Sequence, residues 1–263
     1  MSAPASAPTL LDTARLAALG DELASAYRSA DPFPHAVIDD FVPVEVVRQV
    51  VAEYPRDRAE WDLYLDEGNS NKLAISDEMR LGPVARRLIA ELNGGAMIRF
   101  LEAMTGITGL VPDPHLLGGG LHQLDPGGFL RVHADFNHHP HLKLDRRLNF
   151  LLYLNEGWEA SWGGSLELWN EDMTSKDVSV VPVAGRAVVF STTSTSYHGN
   201  PEPVACPEGM ARRSIALYYY TNGRPEEERG AKHNTLYQTP GSAPSGPAEP
   251  AAPAPKLRKL FRR

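Results

Sequence analysis

His133 and Asp135 stand two apart in the segment FLRVHAD, residues 129–135. If that segment is a strand, period-two geometry points both side chains to one face. There they offer a metal one imidazole nitrogen and one carboxylate oxygen from a rigid backbone. A His-x-Asp triplet alone is weak, because a chain with nine histidines produces one by chance; a surface-facing strand pair is the plain alternative. His198, in SYHGNPEP after the apolar run AVVFST, supplies a third ligand from a separate segment. Two histidines and one carboxylate leave three metal positions open for substrate and O2, the arrangement suited to non-haem Fe(II).

The run RRSIALYYYT, residues 212–221, carries the second signal. Its alternation puts Arg212, Ser214, Ala216 and Tyr218 on one face, and Arg213, Ile215, Leu217 and Tyr219 on the other. An arginine entering a sandwich interior needs an anionic partner, since an unpaired buried charge is costly. A dicarboxylic co-substrate would supply it through a bidentate pair; a structural Asp or Glu is the alternative. Arg213 is the rival to Arg212, because a register slip of one residue exchanges them.

Taken as a set, His133-x-Asp135, His198 and Arg212-x-Ser214 resemble the active-site residues of the 2-oxoglutarate- and Fe(II)-dependent oxygenases. RLNFLLYLN (147–155), WGGSLELW (162–169) and PVAGR (182–186) resemble the prolyl 4-hydroxylase-like branch. The likeness covers about residues 32–222, with the specific motifs in 121–221. It implies a double-stranded β-helix, a cupin-like jelly roll with supporting helices. It also implies Fe(II) held by His133, Asp135 and His198, and 2-oxoglutarate whose distal carboxylate pairs with Arg212. Tyr153 matches a tyrosine that hydrogen-bonds the same carboxylate in relatives, and Ser214 belongs to the Arg-x-Ser pattern. The implied reaction uses O2 to convert 2-oxoglutarate to succinate and CO2 while hydroxylating a C–H bond, with ascorbate as a candidate reductant. Two departures stand out. Many prolyl 4-hydroxylases carry lysine where this chain has arginine, and Gln123 occupies a place where some relatives have tyrosine, ten residues before the first ligand. Gln123 is therefore a candidate for the C1 end of the co-substrate.

Other residues have plainer readings. His138, His139 and His141 surround Pro140, as solvated or entrance-lining side chains rather than a second metal site. His122 either faces the pocket or is a satisfied core histidine. Trp158, Trp162 and Trp169 are expected in packing, with Trp162 in reach of a substrate. Cys206 lacks the electropositive setting of a reactive thiol. Gly118-Gly119-Gly120 lacks the context of a phosphate loop.

The elements that must hold these residues follow from pattern. Helical spacing runs from Thr9 to about Arg28, over 44–54, and over roughly 83–105 with a break at Gly94-Gly95. A short strand is expected over 35–41, and residues 56–80 read as loop with at most a short strand. Strand-like runs follow at 115–124, 129–135, 147–154, 164–170, 178–182, 186–191 and 212–221, separated by Gly, Pro, Asn and Asp. This is a mainly β chain with helices placed before a jelly roll. The expected organisation is an N-terminal tail and helix (1–31), an oxygenase domain (32–240, β-helix core about 107–222), and a Pro-rich linker with a basic tip (241–263) that could dock a partner. A composition of 42% hydrophobic and 22% charged residues excludes a mainly disordered chain. No apolar run is long enough for a membrane span, the first residues lack the pattern of a signal peptide, and one cysteine excludes an internal disulfide, so a cytoplasmic setting is expected. The net charge of -7 argues against a broad nucleic-acid surface.

The substrate is open at this stage. The branch suggests a prolyl residue of a protein or peptide; a free amino acid or natural product is the alternative. A cupin-like metal hydrolase or isomerase would not need the Arg212 and Tyr153 clamp, and a non-catalytic scaffold would not need all three ligands.

Overall fold

The structure, a computed structural model, describes residues 9–64 and 69–242. The expected tail over residues 1–8 and nearly all of the 241–263 linker and tip lie outside the described residues. Four α-helices precede most of the sheet: α1 (Thr13–Arg28), α2 (Val44–Ala52), α3 (Pro83–Leu92) and α4 (Gly95–Thr105). Their ends follow local chemistry. Asp12 caps α1 by accepting from the Arg15 N–H at 2.9 Å, Pro83 opens α3, and Gly106 closes α4 in the left-handed region. No described helix is long and apolar enough to cross a membrane.

The strands are β1 (His35–Ile38), β2 (Asp62–Tyr64), β3 (Asn69–Ile75), β4 (Val111–Pro112), β5 (Gly120–Ala134), β6 (Asp145–Tyr153), β7 (Leu166–Trp169), β8 (Lys176–Val180), β9 (Ala187–Ser191), β10 (His198–Asn200), β11 (Arg212–Thr221) and β12 (Leu236–Tyr237). They form an antiparallel jelly roll in the order β1-β9-β6-β11-β5-β10-β7-β8. β5 is the pivot. Its first half pairs with β11, from Arg212↔Leu124 to Ala216↔Gly120, and its second half pairs with β10 at His198↔His133.

Alternation sorts the two faces. Leu148, Phe150 and Leu152 of β6 and Ile215, Leu217 and Tyr219 of β11 join Leu88, Leu92 and Phe100 of the helices in one apolar cluster. Burying a side chain such as Phe150 contributes roughly 2–3 kcal/mol, so this layer fixes the register of both strands. The intervening residues are then forced to the opposite face, where the polar residues collect.

Two expectations change. Residues 56–80 are not mainly loop: β3 runs for seven residues and pairs along β5 from Asn69↔Leu130 to Ile75↔Leu121. Only its last three residues are apolar, so the β signal is carried by tertiary pairing rather than propensity. The runs 115–124 and 129–135 are one strand, β5, beginning only at Gly120. The break expected at Asp125–Gly128 is instead bridged by Gly127 N–H to Val204 C=O (2.7 Å) and Val204 N–H to Gly128 C=O (2.9 Å).

The glycine run before β5 is a packing device. Gly120 has φ +93°, and a Cβ there would sit 2.1 Å from the Ile75 carbonyl oxygen. We expect Gly120→Ala to destabilise the fold by about 2–3 kcal/mol, combining left-handed strain with a backbone clash. A fall in melting temperature of several degrees checks this; an unchanged melting curve would refute it.

Candidate active site

His133 projects from the end of β5, and Asp135 follows one residue beyond the strand on the same face. His198 comes from β10, directly opposite His133 in register. The approach is close because Gly199 lies against β5, where a Cβ would meet the Leu130 and Arg131 carbonyl oxygens at 2.9 Å. The His133 and His198 rings are 4.5 Å apart between centroids. One ligand atom from each of His133, Asp135 and His198 lies within 4.8 Å of the other two. His133 Nδ1–H donates to the Arg131 carbonyl at 2.8 Å, and His198 Nδ1–H donates to the Ser196 carbonyl at 2.9 Å. Those bonds set the tautomer and turn both Nε2 lone pairs towards Asp135. The donor set fits a divalent cation with nitrogen and oxygen ligands.

Burial opposes the charge on Asp135, yet the Arg146 guanidinium and the two histidines hold its carboxyl well below the usual carboxylate range. Burial and the neighbouring His198 hold His133 below the ordinary imidazole value. Both residues are thus in the protonation states a metal requires.

These residues face a cavity of about 260 Å³ that extends to Arg212 and Ser214 on β11. Arg212 is buried, with 7% exposure. Its Nε donates to the Gly164 carbonyl at 2.5 Å, and its Nη2 donates to the Tyr153 hydroxyl at 3.4 Å. No carboxylate pairs with it among the described residues, and burial pulls its pKa down. Tyr153 is fully buried beneath the guanidinium, 5.0 Å from ring centroid to Cζ, and supports Arg212 rather than lining the cavity. Arg213 points the other way, where its Nε donates to Gln123 Oε1 at 3.0 Å.

Gln123 does not reach the site. It pairs across β5 and β11 with Arg213, hydrogen-bonds Asp125 at 2.8 Å, and lies on the outer face. His122 and Leu124 take the inner face instead, because the bulged run 125–128 shifts the parity counted back from His133. The His122 Nε2 is buried without a hydrogen-bond partner. Burial, with Lys72 and Arg212 adding to it, holds this imidazole well below its usual value.

Several cavity residues lie outside the sequence-based set. Asn200 has the same period-two relation to His198 as Asp135 to His133, and its buried Nδ2 is unpartnered. Asn149 shares the Leu151 and Tyr153 face, and Lys72 enters from β3. Residues 231–242 form a strap: β12 pairs Tyr237 with His133, Gln238 N–H donates to the Val132 carbonyl at 2.8 Å, and Thr235 and Tyr237 wall the cavity.

In the histidine cluster after Asp135, His139 is a buried structural residue and His138 half-buried, whereas His141 is exposed as expected. His139 is fully buried and its Nδ1 accepts from the His141 and Leu142 N–H groups at 3.2 and 3.1 Å. His139 Nε2 lies 3.3 Å from Asp113, and His138 Nδ1 lies 3.1 Å from Asp145. Trp162 packs edge-on against Trp158 at 5.4 Å, away from the cavity. Cys206 is buried, which pushes its thiol pKa up.

Comparison with known proteins agrees with this geometry. The family profile of the 2OG-Fe(II) oxygenase superfamily matches residues 119–220. Mouse (Mus musculus) prolyl 3-hydroxylase OGFOD1 is 32% identical over 79 residues, a match spanning 28% of this chain and 14% of that protein. The fold is similar to that of a Pseudomonas putida prolyl-4-hydroxylase, with a TM-score of 0.52, 24% identity, and coverage of 79% of this chain and 100% of the other. It is also similar to Streptomyces hygroscopicus HygX, solved with nickel, 2-oxoglutarate and hygromycin B bound: TM-score 0.51, 16% identity, 81% and 95% coverage. The profile match takes in the jelly-roll strands from β5 to β11 and all three residues of the His-Asp-His cluster, so this part of the chain is similar to the 2OG-Fe(II) oxygenase superfamily.

Proposed function

We propose that this chain is an Fe(II)- and 2-oxoglutarate-dependent dioxygenase that hydroxylates an unactivated C–H bond, with a prolyl residue of a protein or peptide as the leading substrate. The observation that carries this reading is a buried arginine without an acidic partner among the described residues at one end of a cavity and a two-histidine, one-carboxylate cluster at the other. A dianionic oxo-acid satisfies both ends at once. His133 and His198 would hold the iron through Nε2 and Asp135 would hold it through a carboxylate oxygen. Arg212 pairs with the distal carboxylate of the co-substrate, Tyr153 keeps the guanidinium in place, and Ser214 lies beside it. When bound, Fe(II) supplies the activation of O2 that oxidises 2-oxoglutarate to succinate and CO2 and delivers one oxygen atom to the substrate. Phe136, Tyr218 and Tyr237 wall the cavity against water.

A peptide substrate is favoured by Arg146 and Asn200, cavity-lining side chains whose buried Nη1 and Nδ2 find no hydrogen-bond partner among the described residues and would be satisfied by a substrate carbonyl admitted beside them. The local match to a prolyl 3-hydroxylase and the fold of a prolyl-4-hydroxylase point the same way. The strap over the cavity favours a compact target, so a free amino acid or natural product is the second reading. Ascorbate as reductant, a cytoplasmic location and a domain spanning 32–240 complete the proposal; the lone, buried Cys206 suits a reducing setting.

The expected result is succinate release from protein loaded anaerobically with Fe(II) and then given O2 and 2-oxoglutarate, dependent on both iron and the oxo-acid. A panel of prolyl peptides, free amino acids and cell extract should raise it selectively. Absence of 2-oxoglutarate binding to the metal-loaded protein would overturn the reading in favour of a metal hydrolase or isomerase.

A further inference from the structure

Arg146 is the least expected residue in the cavity. Simple alternation along β6 places it with Leu148, Phe150 and Leu152, facing the helices. The pairing of β6 with β11 shifts between Leu148↔Tyr219 and Arg146↔Tyr220, leaving Arg147 as an extra residue. This bulge turns Arg146 onto the face of Asn149 and sends Arg147 outward to Glu228 at 2.8 Å. Arg146 is 1% exposed. Its guanidinium lies between two rings, 3.5 Å from the Tyr218 centroid and 4.6 Å from that of Phe136. Its Nη2 donates to Asp135 Oδ2 at 2.9 Å. Its Nε and Nη2 donate to Asn149 Oδ1 at 2.9 and 2.7 Å, and Asn149 Nδ2 donates to the same Asp135 oxygen at 2.6 Å. Guanidinium, amide and carboxylate close a ring of hydrogen bonds in which each side chain fixes the other two.

Resting on the proposed metal site, we infer that Arg146, held by Asn149, is a positioning residue for Asp135. Oδ1 lies 3.5 Å from His133 Nε2 and Oδ2 lies 3.3 Å from His198 Nε2, but the two hydrogen bonds to Oδ2 take up its lone pairs, so the carboxylate would offer Oδ1 to the metal and keep a second coordination position free for the co-substrate. The same cation already compensates the carboxylate charge, so the site would bind metal more weakly than its ligand set alone. Removing the clamp has two opposed consequences. The carboxylate regains its full charge and can turn to chelate with both oxygens, which strengthens metal binding. That second oxygen then takes a position the oxo-acid needs, and the cavity has lost a cation that favours a dianion, so co-substrate binding weakens.

This opposition supplies the test. Co(II) titration of Arg146→Gln at pH 8 should show about tenfold tighter metal binding than wild type. The Co(II)-loaded variant should bind 2-oxoglutarate at least tenfold more weakly, with a changed Co(II) visible spectrum from the altered coordination. Arg146→Lys, which retains the charge and loses the fork, should return metal affinity towards wild type. Asn149→Ala removes the 2.6 Å contact and should move both affinities in the same directions by smaller factors, which keeps the test available if Arg146→Gln does not fold. If both affinities fall together, or neither changes, in a variant that melts like wild type, Arg146 does not position Asp135. If wild-type protein binds no Co(II), the metal site and this inference fall together.

Discussion

Arg212→Ala should raise the 2-oxoglutarate concentration for half-maximal succinate release at least about 30-fold, while leaving metal affinity within about twofold. Arg212 is buried and meets no carboxylate among the described residues, so its charge is compensated only when an anion enters the cavity. Truncating one member of a desolvated charge pair costs about 2–5 kcal/mol, which is roughly 30- to 4000-fold in affinity. Arg212→Lys should fall between the two, since an ammonium keeps the charge but cannot bridge the Gly164 carbonyl and the co-substrate with a planar fork. Arg213→Ala should change little, because that side chain lies on the outer face against Gln123 and Tyr54. Co-substrate titrations of the three variants check this. If Arg213→Ala shows the large effect and Arg212→Ala does not, the cavity assignment of the two arginines is wrong.

What could be read from the sequence was set by alternation in strands anchored on both faces. β11 has large apolar residues at 215, 217 and 219 against the helices, so the parity of Arg212 and Ser214 was legible from the chain alone. The same holds for Asn149, Leu151 and Tyr153 in β6. Parity failed wherever a bulge intervened. The irregular run 125–128 exchanges Gln123 for His122, and the extra residue in β6 brings Arg146 inside while turning Arg147 out. Neither bulge has a composition that distinguishes it from a hairpin turn or a regular strand. β10, β12 and most of β3 were illegible for a different reason: they are short or polar, and their strand geometry comes from the edge of β5 that they pair with. The strap over the cavity belongs to that group, since nothing local marks residues 231–242 as part of the site. His139 shows the converse error, where a polar sequence suggested solvent and tertiary contacts with Asp113 and Tyr220 buried it.

The largest effect expected is loss of the metal itself. His133→Ala and Asp135→Asn should each abolish stoichiometric binding of Fe(II) or Mn(II) and all detectable succinate release. Each removes one of the three proposed ligands, and in the asparagine variant the charge that would hold a divalent cation goes with it. The choice of asparagine is deliberate. Asp135→Ala would leave the Arg146 cation buried with no charge partner, which costs about 3–5 kcal/mol and would confound metal loss with unfolding. The amide introduced by Asp135→Asn also removes the charge partner but retains an oxygen that can still accept from Arg146 and Asn149, so the fold should melt closer to wild type than Asp135→Ala while the metal is lost. His133→Ala leaves the Asp135–Arg146 pair intact and should also fold. Metal content after anaerobic reconstitution, read beside the melting temperature, separates the two effects. A folded Asp135→Asn protein that still retains one equivalent of metal would mean that the cation is held elsewhere, and the role given to Arg212 at the far end of the cavity would lose its basis with it.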